Sequence, residues 1–163
     1  MVQINFNPII LKDCFNLKVR EQCRSCKRYN FSANCPPNVP SVDYFQHLLP
    51  LYEKGIIVYN LFDNYDKTEW IKCGKQSSLV IHQEILKIKD NLFKTGHYFV
   101  LGLSAGSCKL CEKCTIPCKN PSQSLLPVEA TGINVVSLMQ KFNINVRFPI
   151  NDSFYRVGMV LYD

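Results

Sequence analysis

Residues 97–118 read HYFVLGLSAGSCKLCEKCTIPC. The segment 97–103 is an apolar run of strand length, and the small residues after it lead directly into a run of cysteines. Those cysteines are Cys108, Cys111, Cys114 and Cys118. Thiolates are preferred ligands of soft metal ions, and four of them in so short a segment indicate a metal site. The stretch therefore predicts a strand that runs straight into a metal-binding loop.

The spacing within this run favours an iron–sulfur cluster. It reads C-x2-C-x2-C-x3-C, the arrangement by which bacterial ferredoxins hold a [4Fe–4S] cluster. Cysteines three residues apart allow an irregular loop to curl around the cluster and to direct each sulfur to a different iron. Structural zinc sites usually combine two separated C-x2-C pairs, or one pair with histidines, so zinc is the alternative metal.

A second group of cysteines lies closer to the N-terminus, in the segment CRSCKRYNFSANCPP at 23–37. Cys23, Cys26 and Cys35 give the spacing C-x2-C-x8-C, and proline follows the third of them. Proline fixes the backbone and offers no competing N–H donor, and a cysteine–proline step is common beside iron–sulfur ligands. The sequence therefore predicts one or two [4Fe–4S] clusters with ligands from both groups, and half of a zinc site is the alternative here.

Three thiolates are one fewer than a closed site needs, and three completions of this first group stay open. Cys14 or Cys73 supplies the missing ligand. Alternatively the two groups exchange ligands, as in two-cluster ferredoxins, and Cys118 joins the first group. In the third case one iron stays open to water or to a substrate. A lone cysteine such as Cys14 or Cys73 is also a common small buried residue.

Composition bounds the class of protein. The chain has 163 residues, 47% of them apolar, which suits one domain, 1–163, with a real core. No apolar run approaches the roughly 18 residues that span a membrane, and the N-terminus lacks the features of a signal peptide. We therefore expect a cytoplasmic protein without membrane association, in which thiols stay reduced and cysteines form metal or redox sites.

The formal net charge is +6, and the basic residues crowd the cysteines. Those nearest to them are Arg20, Arg24, Lys27, Arg28, Lys109, Lys113 and Lys119. A thiolate-ligated cluster is anionic, and nearby cations stabilise thiolates and reduced clusters. We favour this explanation of the charge over an RNA-binding surface, so a nucleic-acid partner is not expected.

Apolar periodicity and turn residues indicate an α+β or α/β domain, in which helices cover a small sheet and both cysteine loops lie at one end. Ile81, Ile85, Ile88 and Leu92 recur at helical spacing in the longest helix. The predicted helices are 42–53, a long one that starts near Thr68 or Ser77 and ends before Gly96, and 133–142. The predicted strands are 56–62, 97–103, 144–149 and 154–162, with a polar turn at 63–66.

No catalytic motif is present in the sequence: H-E-x-x-H, a P-loop and G-x-G-x-x-G are all absent. No acid–base pair stands out either, so the sequence leaves open whether the protein is an enzyme. The small residues at 102–107 are expected to let backbone N–H groups approach the cluster sulfurs. Glu129, in the segment PVEATG, is most simply an acidic residue at the start of a helix, with support of the metal ligands as the alternative role.

The ordered set of these motifs resembles a known family, the domain of unknown function 2284, described as predicted metal-binding proteins of anaerobic bacteria and archaea. The likeness covers roughly residues 20–162 and rests on the two cysteine groups, the strand at 97–103 and the segment VEATGINV. Asn134 stands where the family has aspartate, and Val128 where it has methionine. The resemblance implies a cysteine-bound metal, in the form of iron–sulfur, and no particular reaction.

The leading hypothesis is a cytoplasmic iron–sulfur protein that transfers electrons to a redox partner protein or supports a redox enzyme. The alternative is a zinc-stabilised module that binds protein or RNA, favoured by the basic loops and the lack of catalytic groups. A third hypothesis is an enzyme that uses an open iron at an incompletely ligated cluster. No catalytic residue is assigned. The predicted metal and cofactor ligands are Cys23, Cys26, Cys35, Cys108, Cys111, Cys114 and Cys118.

Overall fold

The computed structural model describes residues 1–63, 70–146 and 153–163. They form an α+β fold with one mixed sheet of five strands. The strands are β1 (Val2–Phe6), β2 (Lys54–Asp63), β3 (Val100–Ser104), β4 (Leu126–Pro127) and β5 (Ser153–Tyr162). The α-helices are α1 (Leu17–Gln22), α2 (Val42–Leu48), α3 (Trp70–Lys94) and α4 (Val135–Gln140). Short 3-10 helices lie at Pro8–Cys14, Cys23–Ser25, Leu49–Leu51 and Val128–Thr131.

Strand β5 lies at the centre of the sheet. The strand order is β1-β2-β5-β3-β4, with β4 parallel to β3 and all other neighbours antiparallel. β2 and β5 pair over their whole length, whereas β3 pairs only with the last part of β5 and has Leu103 opposite Met159. The chain therefore leaves β3 near the middle of β5, and the second cysteine run begins at that point.

Helix α3 covers one face of the sheet. Its Ile81, Ile85 and Ile88 are buried in a core cluster with residues of β2 and β5, which confirms the long helix predicted from their spacing. The helix lies close to the strands because Gly102 and Gly158 have no side chain. A Cβ atom at Gly158 would lie 2.6 Å from Cδ1 of Ile85, and a Cβ atom at Gly102 would lie 2.7 Å from Cγ2 of Ile85.

Short helical segments cover the opposite face of the sheet. Leu11 of the first 3-10 helix, Phe45 of α2, and Leu138 and Met139 of α4 are buried there against β2, β3 and β5. Each of these segments is too short to be stable alone. Their packing on a shared apolar face therefore holds them in place, and it also fixes the loops between them.

Asn134 begins α4 and ties it to the N-terminal segment. Its side-chain oxygen accepts N–H groups from Val136 and Ser137, at 3.0 and 3.3 Å. Its own N–H donates to the Cys14 carbonyl at 2.7 Å. Asparagine caps helices as well as aspartate does, so Asn134 is well suited to begin α4.

Several predicted bounds differ from the structure. The strand predicted at 97–103 begins only at Val100, because the N–H of His97 still bonds the Leu92 carbonyl at 3.0 Å and holds the chain in a turn. The helix predicted at 42–53 ends at Leu48 and continues as a 3-10 helix. Of the strand predicted at 144–149, residues 144–146 are not in a strand.

The remaining predicted positions fall on parts of the chain that the structure does not describe. They are 147–149 of that strand and 64–66 of the polar turn. In the described ranges, no helix is both long enough and apolar enough to cross a membrane.

Candidate metal centre

The first cysteine group lies in a compact loop between α1 and α2. Short-range backbone bonds fold this loop: the N–H of Cys35 bonds the Ser32 carbonyl at 3.1 Å, and that of Asn30 bonds the Pro36 carbonyl at 2.8 Å. Asn30 has a φ of +60°, a left-handed conformation that asparagine tolerates better than most residues. The loop therefore owes its shape to turns, as expected for a segment rich in proline and asparagine.

Cys23, Cys26 and Cys35 line one cavity of about 220 Å³. The structure thus brings together all three predicted ligands of the first group. Other segments complete a mostly apolar wall: α1, the turn after β3 and the 3-10 helix after β4. Their contributions include Val19, Gly106, Ser107, Pro127, Glu129 and Ala130.

The cavity is large enough for a polyatomic occupant. A single water molecule needs only about 10–15 Å³ of such space. Four thiolates around one zinc ion, each about 2.3 Å from it, have sulfurs within about 4 Å of one another. Three thiols that stand around a space fit a multi-iron cluster, because each cysteine then ligates a different iron. Over the described ranges, no three side chains of His, Cys, Asp or Glu are grouped closely enough to hold one metal ion.

The second cysteine run lies in the irregular segment 105–125, between β3 and β4. A segment of this length without helix or strand is usually functional. Its Cys114 reaches the first loop, where the thiol lies 3.9 Å from Oγ of Ser32. Ser32 is only 2% exposed, and its side chain also hydrogen-bonds Cys35. One buried hydroxyl group therefore connects the two cysteine groups.

The other cysteines of the run do not reach the cavity. Cys111 accepts a hydrogen bond from Nδ2 of Asn120 at 3.1 Å and lines an adjoining cleft. Cys108 and Cys118 are half-buried and belong to the described wall of neither space. Cys118 is thus not placed beside Cys23, Cys26 and Cys35, and its exchange into the first group stays a prediction.

The two isolated cysteines lie apart from the cavity. Cys14 is 1% exposed in the apolar core and donates to the Ile10 carbonyl at 3.5 Å. Burial raises the pKa of this thiol, which keeps it neutral. Cys73 is half-buried on α3 and does not belong to the described wall of the cavity. The structure therefore does not bring either of them beside the first group, and Cys14 packs as a small residue of the core.

Burial is the main influence on two of the cavity thiols, and it raises the pKa of both Cys23 and Cys35. Nearby groups oppose the effect: the Arg20 guanidinium lowers the pKa of Cys23, and Ser32 and Lys109 lower that of Cys35. Desolvation thus favours the protonated thiols, while the surrounding donors and cations favour thiolates. A metal that replaces the protons resolves this opposition, because it stabilises the thiolates directly.

Arg20 holds the walls of the cavity together. Its guanidinium donates to the Ala130 carbonyl and, at 3.2 Å, to the Pro40 carbonyl. These bonds tie α1 both to the 3-10 helix at Val128–Thr131 and to the loop before α2. The cavity is therefore assembled from segments far apart in the chain, and the half-buried side chain of Arg20 links them.

Glu129 is a functional candidate, although its local sequence indicates only the start of a helix. Its carboxylate lines the same cavity as the three thiols. The atom Oε2 is inaccessible to solvent and has no hydrogen-bond partner among the described residues. Burial raises the pKa of Glu129. Three groups only partly offset this rise: the backbone N–H of Glu129 itself, the charge of Arg156 and the backbone N–H of Gly106. The segment PVEATG signals a helix start, and nothing local in it indicates a position beside the cysteines.

A second space adjoins the cavity, and Gly106 and Ser107 line both. We call this second space, of about 360 Å³, the basic cleft. Its cationic side chains are those of Arg28, Lys75, Lys109 and Arg156. Of the small residues at 102–107, the last two thus reach the predicted metal site, whereas Gly102 lies in β3 beneath α3.

A protein-family model described as a predicted metal-binding protein (DUF2284) matches residues 11–162. The match spans both cysteine groups, Glu129 and all four cationic residues of the basic cleft. No curated protein and no solved structure matches the chain. The comparisons therefore agree with metal binding and specify neither the metal nor a reaction.

Proposed function

The chain belongs to the DUF2284 family of predicted metal-binding proteins, and from this premise we propose that it binds iron–sulfur of the [4Fe–4S] type and transfers electrons. The observation that carries the proposal is the cavity of about 220 Å³ around which Cys23, Cys26 and Cys35 stand. Its size suits a cluster better than a single ion, and its mostly apolar wall shields a redox centre from water.

We expect ligands from both cysteine groups, and one or two clusters. Cys23, Cys26 and Cys35 hold one cluster. The run at 108–118, with its ferredoxin spacing, holds a second or contributes to the first. The contact between Cys114 and Ser32 supports adjacent sites, because it joins the two loops directly.

Hydrogen bonds to the cysteine sulfurs suit this chemistry. The N–H of Arg28 donates to Sγ of Cys26 at 3.4 Å, and Nδ2 of Asn120 donates to Sγ of Cys111 at 3.1 Å. Such donors stabilise the reduced, more negative form of a cluster and so raise its reduction potential. The bound cluster supplies one-electron oxidation and reduction, and these residues set the potential at which it does so.

Electron transfer requires a partner, and both cysteine loops expose apolar surface to one. Phe31 in the first loop is 73% exposed, and Ile116 in the second is 54% exposed. Exposed apolar side chains next to a functional site are typical of protein interfaces. We expect a redox partner protein to bind these loops in the cytoplasm, where reduced thiols persist, and we expect no nucleic-acid partner.

Anaerobic purification followed by metal analysis tests the proposal. The wild-type protein should be brown, absorb near about 400 nm, and contain about four or about eight iron atoms with equal sulfide per chain. Cys35→Ser should lose iron, since Cys35 lines the cavity. Cys73→Ser is the matched control, and it should keep the wild-type iron content because Cys73 lies outside that wall.

A colourless wild-type protein with stoichiometric zinc would overturn the iron–sulfur proposal. It would favour the alternative, a zinc-stabilised module that binds protein or RNA. Salt-sensitive binding of RNA to the zinc protein would then identify the second kind of partner.

A further inference from the structure

On the basis of the proposed metal centre, we propose that the carboxylate of Glu129 is the fourth protein ligand beside Cys23, Cys26 and Cys35. These three cysteines leave one position unfilled in a site that needs four ligands. Glu129 lines the same cavity as the three thiols. The proposal gives the site three sulfur ligands and one oxygen ligand.

The unpartnered atom Oε2 is the main argument. An ionised carboxylate that has an oxygen buried away from water and without a hydrogen bond is destabilising. Either protonation or a bound cation relieves that cost, and the three cysteines around the same cavity favour the cation. Arg156 contributes positive charge nearby. Its guanidinium, however, donates to Oγ of Ser77 at 3.1 Å and to the Gly74 carbonyl at 3.4 Å, and it makes no ion pair with Glu129 in the described structure.

The alternatives for the fourth position lie elsewhere. Cys14, the last residue of the first 3-10 helix, is buried in the core and donates to the Ile10 carbonyl. Cys73 and Cys118 are absent from the described wall of the cavity. Among the residues considered for this position, Glu129 alone lines the cavity, and it needs no rearrangement of the backbone to do so.

The backbone around Glu129 is fixed. Val128 and Ala130 on either side are fully buried, and the Ala130 carbonyl accepts a hydrogen bond from Arg20. Gly132 ends this turn with a φ of +92°, which side chains other than glycine rarely adopt. The carboxylate is therefore presented to the cavity by an anchored turn, so that ligation costs little conformational freedom.

An oxygen ligand makes one metal position different from the others. Carboxylate is a harder ligand than thiolate, so the iron that Glu129 holds exchanges its ligand more readily than the iron atoms held by cysteine. A small molecule that binds this centre would therefore do so at the Glu129 position.

Three variants test the assignment. Glu129→Gln keeps the shape and removes the charge, and Glu129→Cys offers a thiolate instead. Glu53→Gln is the matched control, because Glu53 is an exposed carboxylate just before β2 and lies outside both cysteine groups. Iron, sulfide and the electron paramagnetic resonance spectrum of the reduced protein are measured after anaerobic reconstitution, and circular dichroism establishes that each variant is folded.

We expect Glu129→Gln to lose at least about one iron atom per chain and to change the resonance spectrum. Glu129→Cys should retain iron with an altered spectrum, and Glu53→Gln should match the wild type. Wild-type iron content and spectrum in Glu129→Gln would overturn the assignment while leaving the proposed function intact. If Glu129→Gln does not fold, the spectrum of Glu129→Cys decides: an altered spectrum supports the assignment and an unaltered one overturns it.

The failure of the proposed function gives a different result. Wild-type protein that holds zinc overturns the iron–sulfur proposal, and zinc content then tests the ligand. Loss of zinc in Glu129→Gln supports ligation by Glu129, and full retention overturns it. A wild-type protein that binds no metal overturns both proposals.

The basic cleft carries a second and independent inference: we infer that it binds the phosphate group of a small molecule. Its cations come from four separate segments, namely the first cysteine loop, α3, the second cysteine run and β5. In the described wall, a single carboxylate, that of Glu112, stands against them. The volume of about 360 Å³ admits a small phosphorylated molecule rather than a bare ion alone.

Within the part of the chain that the structure describes, the cations of the cleft have few partners of opposite charge, namely Glu112 in its wall and Glu129 near Arg156. Arg28 and Lys75 make no ion pair with any described residue. Lys109 donates to the Ser107 hydroxyl, and Arg156 donates to neutral oxygens of α3. Like charges that converge raise the free energy of the fold, and an anion between them lowers it. A phosphate offers three oxygens to donors from several directions, whereas a carboxylate offers two.

The metal centre accounts for only part of this charge. Lys109 interacts electrostatically with the thiols of Cys26 and Cys35, so it also serves the metal site. Arg156 interacts with Glu129 and with no cysteine. Lys75, on the exposed side of α3, is the residue that best separates anion binding from metal binding.

Calorimetry with pyrophosphate as the probe, on metal-loaded protein at constant ionic strength, tests this inference. Lys75→Ala should weaken binding by about tenfold without changing the metal content. Lys87→Ala is the matched control, since Lys87 is an exposed lysine of α3 that pairs with Glu84, and it should bind as the wild type does. Any of three results would overturn the phosphate assignment. The wild type does not bind pyrophosphate, both variants lose the same pyrophosphate affinity, or the wild type binds the dicarboxylate succinate as tightly as pyrophosphate.

Discussion

The thiol of Cys114 lies 3.9 Å from the hydroxyl oxygen of Ser32, a residue 82 positions away in the chain. The carbonyl of Ser32 accepts the N–H of Cys35 at 3.1 Å and the side-chain amide of Asn38 at 3.2 Å. Ser32 is thus fixed by its backbone and leaves its hydroxyl between thiols of two different cysteine groups. The two groups are therefore parts of one connected structure, and a metal bound by either of them affects the other.

Ser32→Ala should lower the reduction potential of the bound cluster by about 20–60 mV, the equivalent of one ordinary hydrogen bond in a one-electron couple. The sign follows from charge, because a donor to a ligating thiolate stabilises the reduced form. A redox titration followed by electron paramagnetic resonance measures the shift. Ser25→Ala, at an exposed serine of the same loop, is the control. Equal potentials in the two variants would show that the Ser32 hydroxyl does not act on the cluster.

Cys14→Ala and Cys35→Ala should differ in what they change: the first should lower stability, and the second should lower the metal content. Cys14 fills space in the apolar core, so its truncation should lower the free energy of unfolding by about 1 kcal/mol and leave the metal content unchanged. Cys35→Ala should remove metal. Metal analysis and denaturant unfolding of both variants make the comparison. Loss of metal in Cys14→Ala would contradict the assignment of Cys14 to the core.

The sequence predicts the fold well where a pattern repeats locally. The three- and four-residue spacing of Ile81, Ile85 and Ile88 identifies α3, because one face of a long helix must be apolar. The α+β class follows in the same way. Short elements such as β4, which has only Leu126 and Pro127, have no periodicity to detect, and they form because β3 offers them a partner.

The candidate site shows the same division. Cysteine spacing identifies Cys23, Cys26 and Cys35 as a group, since residues close in sequence remain close in space. Glu129 joins them only because the chain passes along β4, beside β3, and then turns towards α1. That approach is a property of the sheet order and of the bond from Arg20 to Ala130. The local sequence shows only that Glu129 is the one charged residue of the segment PVEATG, and this does not indicate a position beside the cysteines.

Gly158→Ala should destabilise the protein by about 1–3 kcal/mol, the usual cost of overpacking. The added methyl group would lie 2.6 Å from Cδ1 of Ile85 and 2.8 Å from the Leu103 carbonyl oxygen. Ile85→Val removes the first of these contacts, so the double variant should be more stable than the sum of the single effects predicts. Denaturant unfolding of the four proteins gives the coupling. If the two single effects simply add, the contact between position 158 and Cδ1 of Ile85 is not the source of the destabilisation.

Stability should fall on acidification below about pH 6.5, the ordinary pKa of histidine, because of His82. This residue is 2% exposed, and its Nε2 lies 2.7 Å from the Gln123 carbonyl oxygen. The neutral ring donates its N–H to that oxygen. Burial lowers the pKa of His82, and Lys89 adds to this, while the bond to Gln123 opposes it.

The unfolded chain therefore binds a proton at a pH where the folded protein does not. As a result, the free energy of unfolding decreases as the pH falls from about 6.5 through the pKa of His82 in the folded protein. The decrease is at most about 1.4 kcal/mol per pH unit. Gln123 lies near the end of the segment 105–125 that carries the second cysteine run, so acid should weaken the attachment of that segment to α3. His82→Gln should remove this part of the pH dependence, whereas His47→Gln, at an exposed histidine of α2, should retain it. Acid effects on the cysteines are common to all three proteins and cancel in the comparison. Parallel curves of unfolding free energy against pH for wild type and His82→Gln would exclude His82 as the source.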